Sequence, residues 1–214
     1  MSGTSAGGVG AMNLADRVHS YLKPNLQSLT NFKTIIDAAL FLGNPVYRPL
    51  PCSMSFFCSV ERTYREGVKI WKSKLDESCM DELKEEDEWR CLMVDPGVRF
   101  VETPSIILIN KYDLWQWMSD GDQGYPGGMA HLLQRGDQVV EVVKGLISSK
   151  SVQSAVVSSC FYHTFVQYKE EFLEFKIEGK RVADAVREFV FEDKQSYMIN
   201  ECQGFGCNEK CSNL

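Results

Sequence analysis

Residues 105–109 read Ser-Ile-Ile-Leu-Ile, and this short run constrains the fold more than any other part of the chain. Three of its residues are β-branched and none after Ser105 is polar, which is typical of a strand covered on both faces. Such a strand needs packed layers above and below it. We therefore predict a single globular α+β domain over residues 12–199, in which a mixed or mainly antiparallel sheet packs against several helices.

The two ends of the chain differ in composition from this domain. Residues 1–11 are rich in Gly, Ser and Ala and carry no charged side chain, so we expect a flexible tail. A glycine-rich phosphate loop is the alternative for this segment, but no Lys-Ser or Lys-Thr pair follows the glycines. Residues 200–214 are polar and carry three cysteines, and we expect a second tail there.

Apolar spacing predicts the elements that surround the central strand. Residues 32–40 have apolar side chains at helical intervals, and Gly43 and Pro45 follow as signals that end a helix. Residues 120–128 combine four glycines with a proline and predict a loop. We also predict helices over 129–147 and 182–190, and strands over 54–62, 152–157 and 161–168.

Charge is concentrated in one segment of the chain. Residues 76–88 hold eight carboxylates and one lysine, while the net charge of the whole chain is only −6. An acidic segment repels phosphate backbones, which disfavours nucleic acid as a partner at this place. The longest apolar run, residues 38–42, is much shorter than the roughly 20 residues of a transmembrane helix.

Eight cysteines raise the question of the redox compartment. The start of the chain has no basic segment followed by an apolar one, so we expect no signal peptide. Apolar residues make up 44% of the chain, enough for a core without cross-links. We therefore predict a reduced, intracellular protein, cytoplasmic or nuclear and not secreted.

The segment that follows the apolar run, Asn110-Lys111-Tyr112-Asp113, resembles the guanine-recognition motif of P-loop GTPases. The resemblance implies a nucleotide site in which Asp113 accepts hydrogen bonds from the base while Asn110 and Lys111 brace it. The phosphate-binding motif of that family has no counterpart in this chain. The alternative is architectural, because an aspartate just before a helix caps its first turn.

Two cysteine sets are candidates for chemistry. Cys202, Cys207 and Cys211 have a spacing that could contribute to a zinc site, which needs four nitrogen or sulfur ligands. Cys160 with His163 is a candidate nucleophile and base, but a catalytic pair also needs an orienting group, and none lies nearby in the sequence. We expect no cofactor, with zinc as the one alternative.

Our leading hypothesis for function is a non-catalytic interaction or assembly protein that binds protein partners or associates with itself. The aromatic residues in and beside the glycine-rich loop are the expected partner-binding anchors, because exposed Trp and Tyr concentrate binding energy. They are Tyr112, Trp115, Trp117 and Tyr125. Residues 168–193 resemble the C-terminal part of rhabdovirus-type matrix proteins, which implies a structural role. The alternative hypothesis is a guanine-nucleotide-binding domain without a phosphate loop.

Overall fold

The computed structural model describes residues 1–29, 31–43, 52, 58–122, 124–167, 169–204, 207–208 and 211. The strands in this part of the chain are β1 (Ser2–Thr4), β2 (Thr34–Asp37), β3 (Ser105–Asn110), β4 (Ser154–Ser158), β5 (Lys176–Ile177), β6 (Lys180–Arg181) and β7 (Tyr197–Ile199). The helices are α1 (Ala6–Asn25), α2 (Val60–Trp71), α3 (Glu77–Glu82), α4 (Val94–Gly97), α5 (Leu114–Ser119), α6 (Gly128–Ser148), α7 (Lys169–Glu174) and α8 (Val182–Glu192). In the same part of the chain, 3-10 helices span Glu85–Leu92 and Val98–Phe100.

The central sheet has five strands in the order β1-β2-β3-β4-β7, and all four neighbouring pairs are parallel. The predicted α+β class with a mixed or mainly antiparallel sheet is therefore wrong, and the fold is α/β. The physical reason is that helices connect the strands, so each strand returns in the same direction as the one before. Within the described ranges, the antiparallel pairing is that of β5 with β6, outside the central sheet.

Strand β3 lies at the middle of the sheet, and all six of its residues are buried, which confirms the prediction for residues 105–109. Successive side chains of a strand point to opposite faces. Accordingly, Ile107 and Ile109 join a core that includes apolar residues of α1 and α6. Ile106 and Leu108 join a second core together with residues of α8. Both faces of the sheet are thus covered, as expected of parallel sheets.

The structure confirms some of the predicted helices and strands and contradicts one. Helices α6 and α8 confirm the predictions over 129–147 and 182–190, and β4 confirms the strand near 152–157. The helix predicted over 32–40 is wrong, because Thr34–Asp37 pairs as β2 between β1 and β3. Its adjacent isoleucines are equally suited to a buried strand.

Two further strand predictions have different outcomes. Residues 161–167 form turns and bends, so the strand predicted over 161–168 is wrong over its described part. Of the strand predicted over 54–62, residues 54–57 lie outside the described residues, and Val60 begins helix α2. The polar positions within both predicted strands break the alternation that a half-buried strand needs.

All eight cysteines form disulfides, which pair Cys52 with Cys58, Cys79 with Cys91, Cys160 with Cys211, and Cys202 with Cys207. Disulfides persist in oxidising compartments and are rare in the cytosol. The prediction of a reduced, cytoplasmic or nuclear protein is therefore wrong. No helix among the described residues has the length and apolar character to cross a membrane.

The first residues of the chain, expected as a flexible tail over 1–11, form a strand, a tight turn and the start of a helix. Strand β1 pairs with β2, and α1 begins two residues after β1 ends. The turn is tight because glycines stand where backbones approach closely. A side-chain carbon at Gly3 would overlap the carbonyl of Gly7, and one at Gly8 would lie 2.7 Å from Cβ of Ala39.

We expect Gly8→Ala to lower the free energy of unfolding by about 1–3 kcal/mol, because the added carbon meets both Ala39 and the carbonyl of Asp37. The matched control is Gly145→Ala in α6, where nothing lies within 4 Å and the helix should gain up to about 1 kcal/mol. Urea unfolding curves measure both changes. Equal stability of the two variants would contradict the close packing of α1 on β2.

Candidate active site

Ser5 occupies the turn between β1 and α1 in a backbone conformation that residues other than glycine rarely adopt. Its φ is 56° and its ψ is −126°, and its amide donates a hydrogen bond to the carbonyl of Asp37 at 2.8 Å. Residues 3–7 read Gly-Thr-Ser-Ala-Gly, the G-x-S-x-G pattern. A strained serine in this pattern, between a strand and a helix, is the nucleophile elbow of α/β hydrolases.

His163 and Asp113 complete a hydrogen-bonded chain with Ser5. Nε2 of His163 lies 2.7 Å from Oγ of Ser5, and Nδ1 of His163 lies 2.7 Å from Oδ2 of Asp113. Three side chains from distant parts of the sequence thus have the geometry of nucleophile, base and orienting acid. Their order along the chain, Ser, Asp and then His, is the order found in α/β hydrolases.

The parallel sheet brings these residues together. Ser5 follows β1, Asp113 comes three residues after the end of β3, and His163 lies on the loop that follows β4. The carboxyl ends of parallel strands meet at one edge of a sheet, which is where such folds place their sites. A residue's position after its strand therefore decides whether it reaches the site.

The charge of Asp113 tunes His163 as a base. Burial lowers the pKa of His163, but the hydrogen bond and the charge of Asp113, helped by the charge of Asp37, outweigh it. The pKa of His163 consequently lies above its ordinary value of 6.5. An imidazole with a raised pKa takes a proton from a hydroxyl more readily than an unperturbed one, as a general base must.

Asp113 serves two elements with its two oxygens. Oδ1 accepts a hydrogen bond from the amide of Gln116 at 2.9 Å and caps α5, while Oδ2 faces His163. The capping role considered for this aspartate in the sequence is therefore confirmed. The cap fixes the carboxylate in one orientation, so the acid is held in place before any substrate arrives.

A second buried carboxylate, that of Asp37, holds the loop that carries His163. Its two oxygens accept hydrogen bonds from the amide of Phe165 at 3.1 and 3.2 Å and from the amide of Val166 at 3.0 Å. The hydroxyl of Thr4 donates to the same carboxylate at 3.1 Å. Asp37 therefore ties the His163 loop to the strand that precedes Ser5.

The start of α1 offers a donor for negative charge that develops at the site. Amides in the first turn of a helix have no acceptor within the helix. In α/β hydrolases the amide of the residue after the nucleophile, here Ala6, is one donor of the oxyanion hole. The positive end of the helix dipole lies at the same place and favours an anion there.

A cavity of about 660 Å³ opens beside Ser5. Ser5 and Ala6 line one part of it, and most of its other walls are apolar or aromatic. These walls include Val9, Leu14, Phe41, Tyr64, Trp71, Leu75, Leu92 and Trp115. Its size lies within the range of ligand sites, and its lining matches an apolar group attached to a polar reacting centre.

The residues of the predicted nucleotide site are buried and engaged with the protein itself. Asn110 is fully buried and accepts a hydrogen bond from the hydroxyl of Ser158. The ammonium of Lys111 donates to the carbonyl of Cys202 at 2.6 Å. Since Asp113 faces His163 and α5, the three residues do not converge on a site for a guanine base.

The four aromatic residues predicted to bind partners have different surroundings. Tyr112 is fully buried, and its hydroxyl accepts a hydrogen bond from the amide of Gly204 at 3.0 Å. Trp115 is half-buried, lines the cavity and packs with its ring centre 4.9 Å from that of Phe41. Trp117 is also half-buried, and Tyr125 is exposed. Partner binding by this set stays a prediction.

The cysteines proposed as zinc ligands are divided between two disulfides. Cys202 pairs with Cys207, and Cys211 pairs with Cys160. Zinc is bound by thiolates, which a disulfide does not offer. The Cys160–His163 pair separates in the same way, because Cys160 is oxidised while His163 serves Ser5. The ring nitrogens of His163 instead face Ser5 and Asp113.

A cluster of carboxylates near α6 has donor atoms close enough to hold a metal ion. Oxygens of Asp120 and Asp122 and a nitrogen of His131 lie within 4.8 Å of one another. The buried guanidinium of Arg135, however, forms an ion pair with Asp120 and supplies the positive charge that a cation would bring. Burial raises the pKa of Asp120 to about 7, against the opposing effect of Arg135. We read the cluster as a structural network.

Ser5 is the candidate functional residue that the sequence alone did not indicate. The G-x-S-x-G letters at residues 3–7 are plain in the sequence, but no apolar run precedes them to suggest a strand. The strand that carries Ser5 has only three residues and lies at the edge of the described sheet. The G-x-S-x-G motif at residues 3–7 is therefore the one sequence feature that could have indicated Ser5.

Comparisons with known proteins agree with this geometry. The model of the pectinacetylesterase family matches residues 1–212. Palmitoleoyl-protein carboxylesterase notum2 of Xenopus laevis is 23% identical over 225 residues, which cover 99% of this chain and 46% of that protein. Palmitoleoyl-protein carboxylesterase NOTUM of Schmidtea mediterranea is 32% identical over 111 residues, or 52% of this chain and 21% of that protein.

A solved structure shows the same fold. The Wnt deacylase Notum from Drosophila aligns with a TM-score of 0.81 and 23% identity, over 98% of this chain and 57% of the solved one. The chain spans about half the length of the curated relatives that it matches from end to end. The hypothesis of a non-catalytic, matrix-like assembly protein is wrong, and so is the guanine-nucleotide alternative, because the family and the relatives are esterases.

We expect Asp37→Asn to lower kcat for ester hydrolysis at least about tenfold, with a smaller change in KM. The amide has one acceptor oxygen where the carboxylate has two, so the loop that carries His163 loses hydrogen bonds and shifts. The matched control is Asp16→Asn, because the Asp16 carboxylate accepts hydrogen bonds from the amides of Glu102 and Thr103, which do not belong to the loop that carries His163.

Both variants should lose about 1–3 kcal/mol of stability, since each weakens the acceptor of at least one buried or half-buried amide. The loss of kcat should follow Asp37→Asn alone. Steady-state kinetics and urea unfolding of the same preparations separate the two effects. An equal loss of activity in both variants would show that Asp37 stabilises the fold without positioning His163.

Proposed function

Because this chain belongs to the pectinacetylesterase family, we propose that it carries the hydrolytic centre of a carboxylesterase, with Ser5 as nucleophile. The observation that carries the proposal is the unbroken chain of hydrogen bonds from Ser5 through His163 to Asp113. A serine held at positive φ beside an imidazole of raised pKa has the geometry of an activated nucleophile.

The reaction follows from these positions. Nε2 of His163 takes the hydroxyl proton as Oγ of Ser5 attacks the ester carbonyl, and the amide of Ala6 stabilises the negative charge on the carbonyl oxygen. The protonated His163 then gives its proton to the leaving alcohol, which departs and leaves an acyl-serine. A water molecule, deprotonated by His163, attacks the acyl-serine and releases the carboxylic acid, with the proton returning to Ser5.

The cavity beside Ser5 supports an acyl group longer than acetyl. Each methylene moved from water into an apolar site contributes about 0.8 kcal/mol, so an apolar cavity of this size favours a long hydrocarbon chain. Relatives are named palmitoleoyl-protein carboxylesterases, and one solved relative is titled a Wnt deacylase. We propose a long-chain acyl ester on a protein as the substrate class, in preference to the acetyl ester of the family's name.

We expect Ser5→Ala to abolish hydrolysis of p-nitrophenyl octanoate, because no oxygen remains to attack the carbonyl. Asp113→Asn should lower kcat by about 10⁴-fold, since an amide cannot hold the imidazole in the same tautomer. Ser20→Ala, at an exposed position of α1, is the control and should match the unsubstituted chain. Undiminished hydrolysis by Ser5→Ala would exclude Ser5 as the nucleophile.

The dependence of kcat/KM on pH should follow the ionisation of His163. Only neutral imidazole accepts the serine proton, so kcat/KM is low in acid and rises with pH through a pKa above the ordinary 6.5. Asp37→Asn removes a negative charge that raises this pKa, and should move the rise to lower pH. Measurements of kcat/KM between about pH 5 and about pH 9 locate this rise in the unsubstituted chain and in Asp37→Asn. A rise centred below 6.5 in the unsubstituted chain would contradict the assignment.

A further inference from the structure

Trp71 is a large apolar residue that lines the cavity while remaining mostly in contact with solvent. It is the last residue of α2, and 59% of its surface is exposed. A side chain that both lines a cavity and faces solvent stands at the mouth of that cavity. The chain turns away immediately afterwards, because Lys72 adopts the left-handed conformation with a φ of 50°.

The position of the Trp71 ring depends on the absence of a side chain at Gly67. Residues four apart lie on the same face of a helix, and long side chains point back over the preceding turn. A Cβ at Gly67 would lie less than 3.0 Å from three carbons of the indole ring. The ring therefore packs directly on the helix backbone at Gly67. Even the methyl group of an alanine at this position would overlap the ring.

The residues that line the cavity differ between the surroundings of His163 and those of Trp71. Phe41 and Trp115 line it close to His163, with ring centres 6.3 Å from the imidazole. At the mouth, Trp71 stands beside Lys72 and Lys74, whose side chains are exposed. Trp71 is thus an apolar residue that lines the same cavity as Ser5 while its ring remains open to solvent.

We propose that Trp71, seated on Gly67, determines specificity by packing over the far part of a long, unbranched acyl chain bound in the cavity. The inference rests on the proposed esterase function and adds which residue selects acyl length. A chain of two to four carbons ends before the mouth and makes no contact with the indole. A longer chain exchanges solvent for the indole face, which removes apolar surface of both from water.

The test is the chain-length profile of kcat/KM for p-nitrophenyl esters from acetate to palmitate. Trp71→Ala should lower the palmitate-to-butyrate ratio about tenfold, mainly through a higher KM for palmitate. Gly67→Ala should lower the same ratio although Trp71 is present, because the methyl group displaces the ring. Alanine favours the helix over glycine, so α2 itself is not weakened.

Ile70→Ala is the matched control, because Ile70 neighbours Trp71 on α2 and is 74% exposed but does not line the cavity. Its ratio should equal that of the unsubstituted chain. An unchanged ratio in Trp71→Ala, with hydrolysis still abolished by Ser5→Ala, would overturn the role of Trp71 and leave the esterase function standing. A ratio lowered equally by Ile70→Ala would also overturn it.

A binding measurement separates this inference from the function on which it rests. Palmitate should raise the melting temperature of Ser5→Ala protein more than that of the Ser5→Ala, Trp71→Ala double variant, while butyrate should not distinguish them. Equal shifts with palmitate would exclude contact with Trp71. If the unsubstituted chain hydrolyses none of the esters, the esterase proposal fails, and the palmitate shift alone decides whether Trp71 contacts a bound acyl chain.

Discussion

The parallel pairing of β1, β2, β3 and β4 is the constraint on which the rest of this structure depends. Because the four strands run in one direction, the residues that follow them gather at one edge of the sheet. Ser5 and Asp113 arrive there from β1 and β3, and His163 arrives from the loop after β4. If any of these strands ran in the opposite direction, the residue that follows it would lie at the other end of the strands, a full strand length away.

The site is held together by polar groups buried beneath it. The carboxylate of Asp37 joins the loop of His163 to Thr4, and the carbonyl of the same residue accepts the amide of Ser5. Strained backbone persists only where its surroundings fix it. At Ser5 the surroundings are the end of β2 on one side and the first turn of α1 on the other, so nucleophile and base share one support.

The sequence predicted those parts of the fold whose local signal is uniform. The run of β3 is apolar without interruption and rich in β-branched residues, and α6 keeps its apolar spacing over many turns. Short strands are different, because β1 and β7 have three residues each and draw their stability from neighbours that are distant in the sequence. The sheet direction was mispredicted for this reason, and strand order is a tertiary property.

The candidate site shows the same division between local and distant information. Asp113 and His163 were both singled out in the sequence, but with a guanine base and with Cys160 as their supposed partners. Ser5, which is hydrogen-bonded to His163, lies 158 residues from it in a segment whose composition resembles a flexible tail. The sequence likewise does not reveal the cavity, because its walls come from α1, α2 and α5 together.

The two oxygens of Asp113 join the proposed orienting carboxylate to the architecture of α5. One oxygen is committed to the first turn of that helix and the other to the imidazole, so neither task can be adjusted by itself. A glutamate carries the same charge on a longer arm, and an asparagine presents only one acceptor. Any substitution of Asp113 therefore changes the start of this helix and the orientation of the imidazole together.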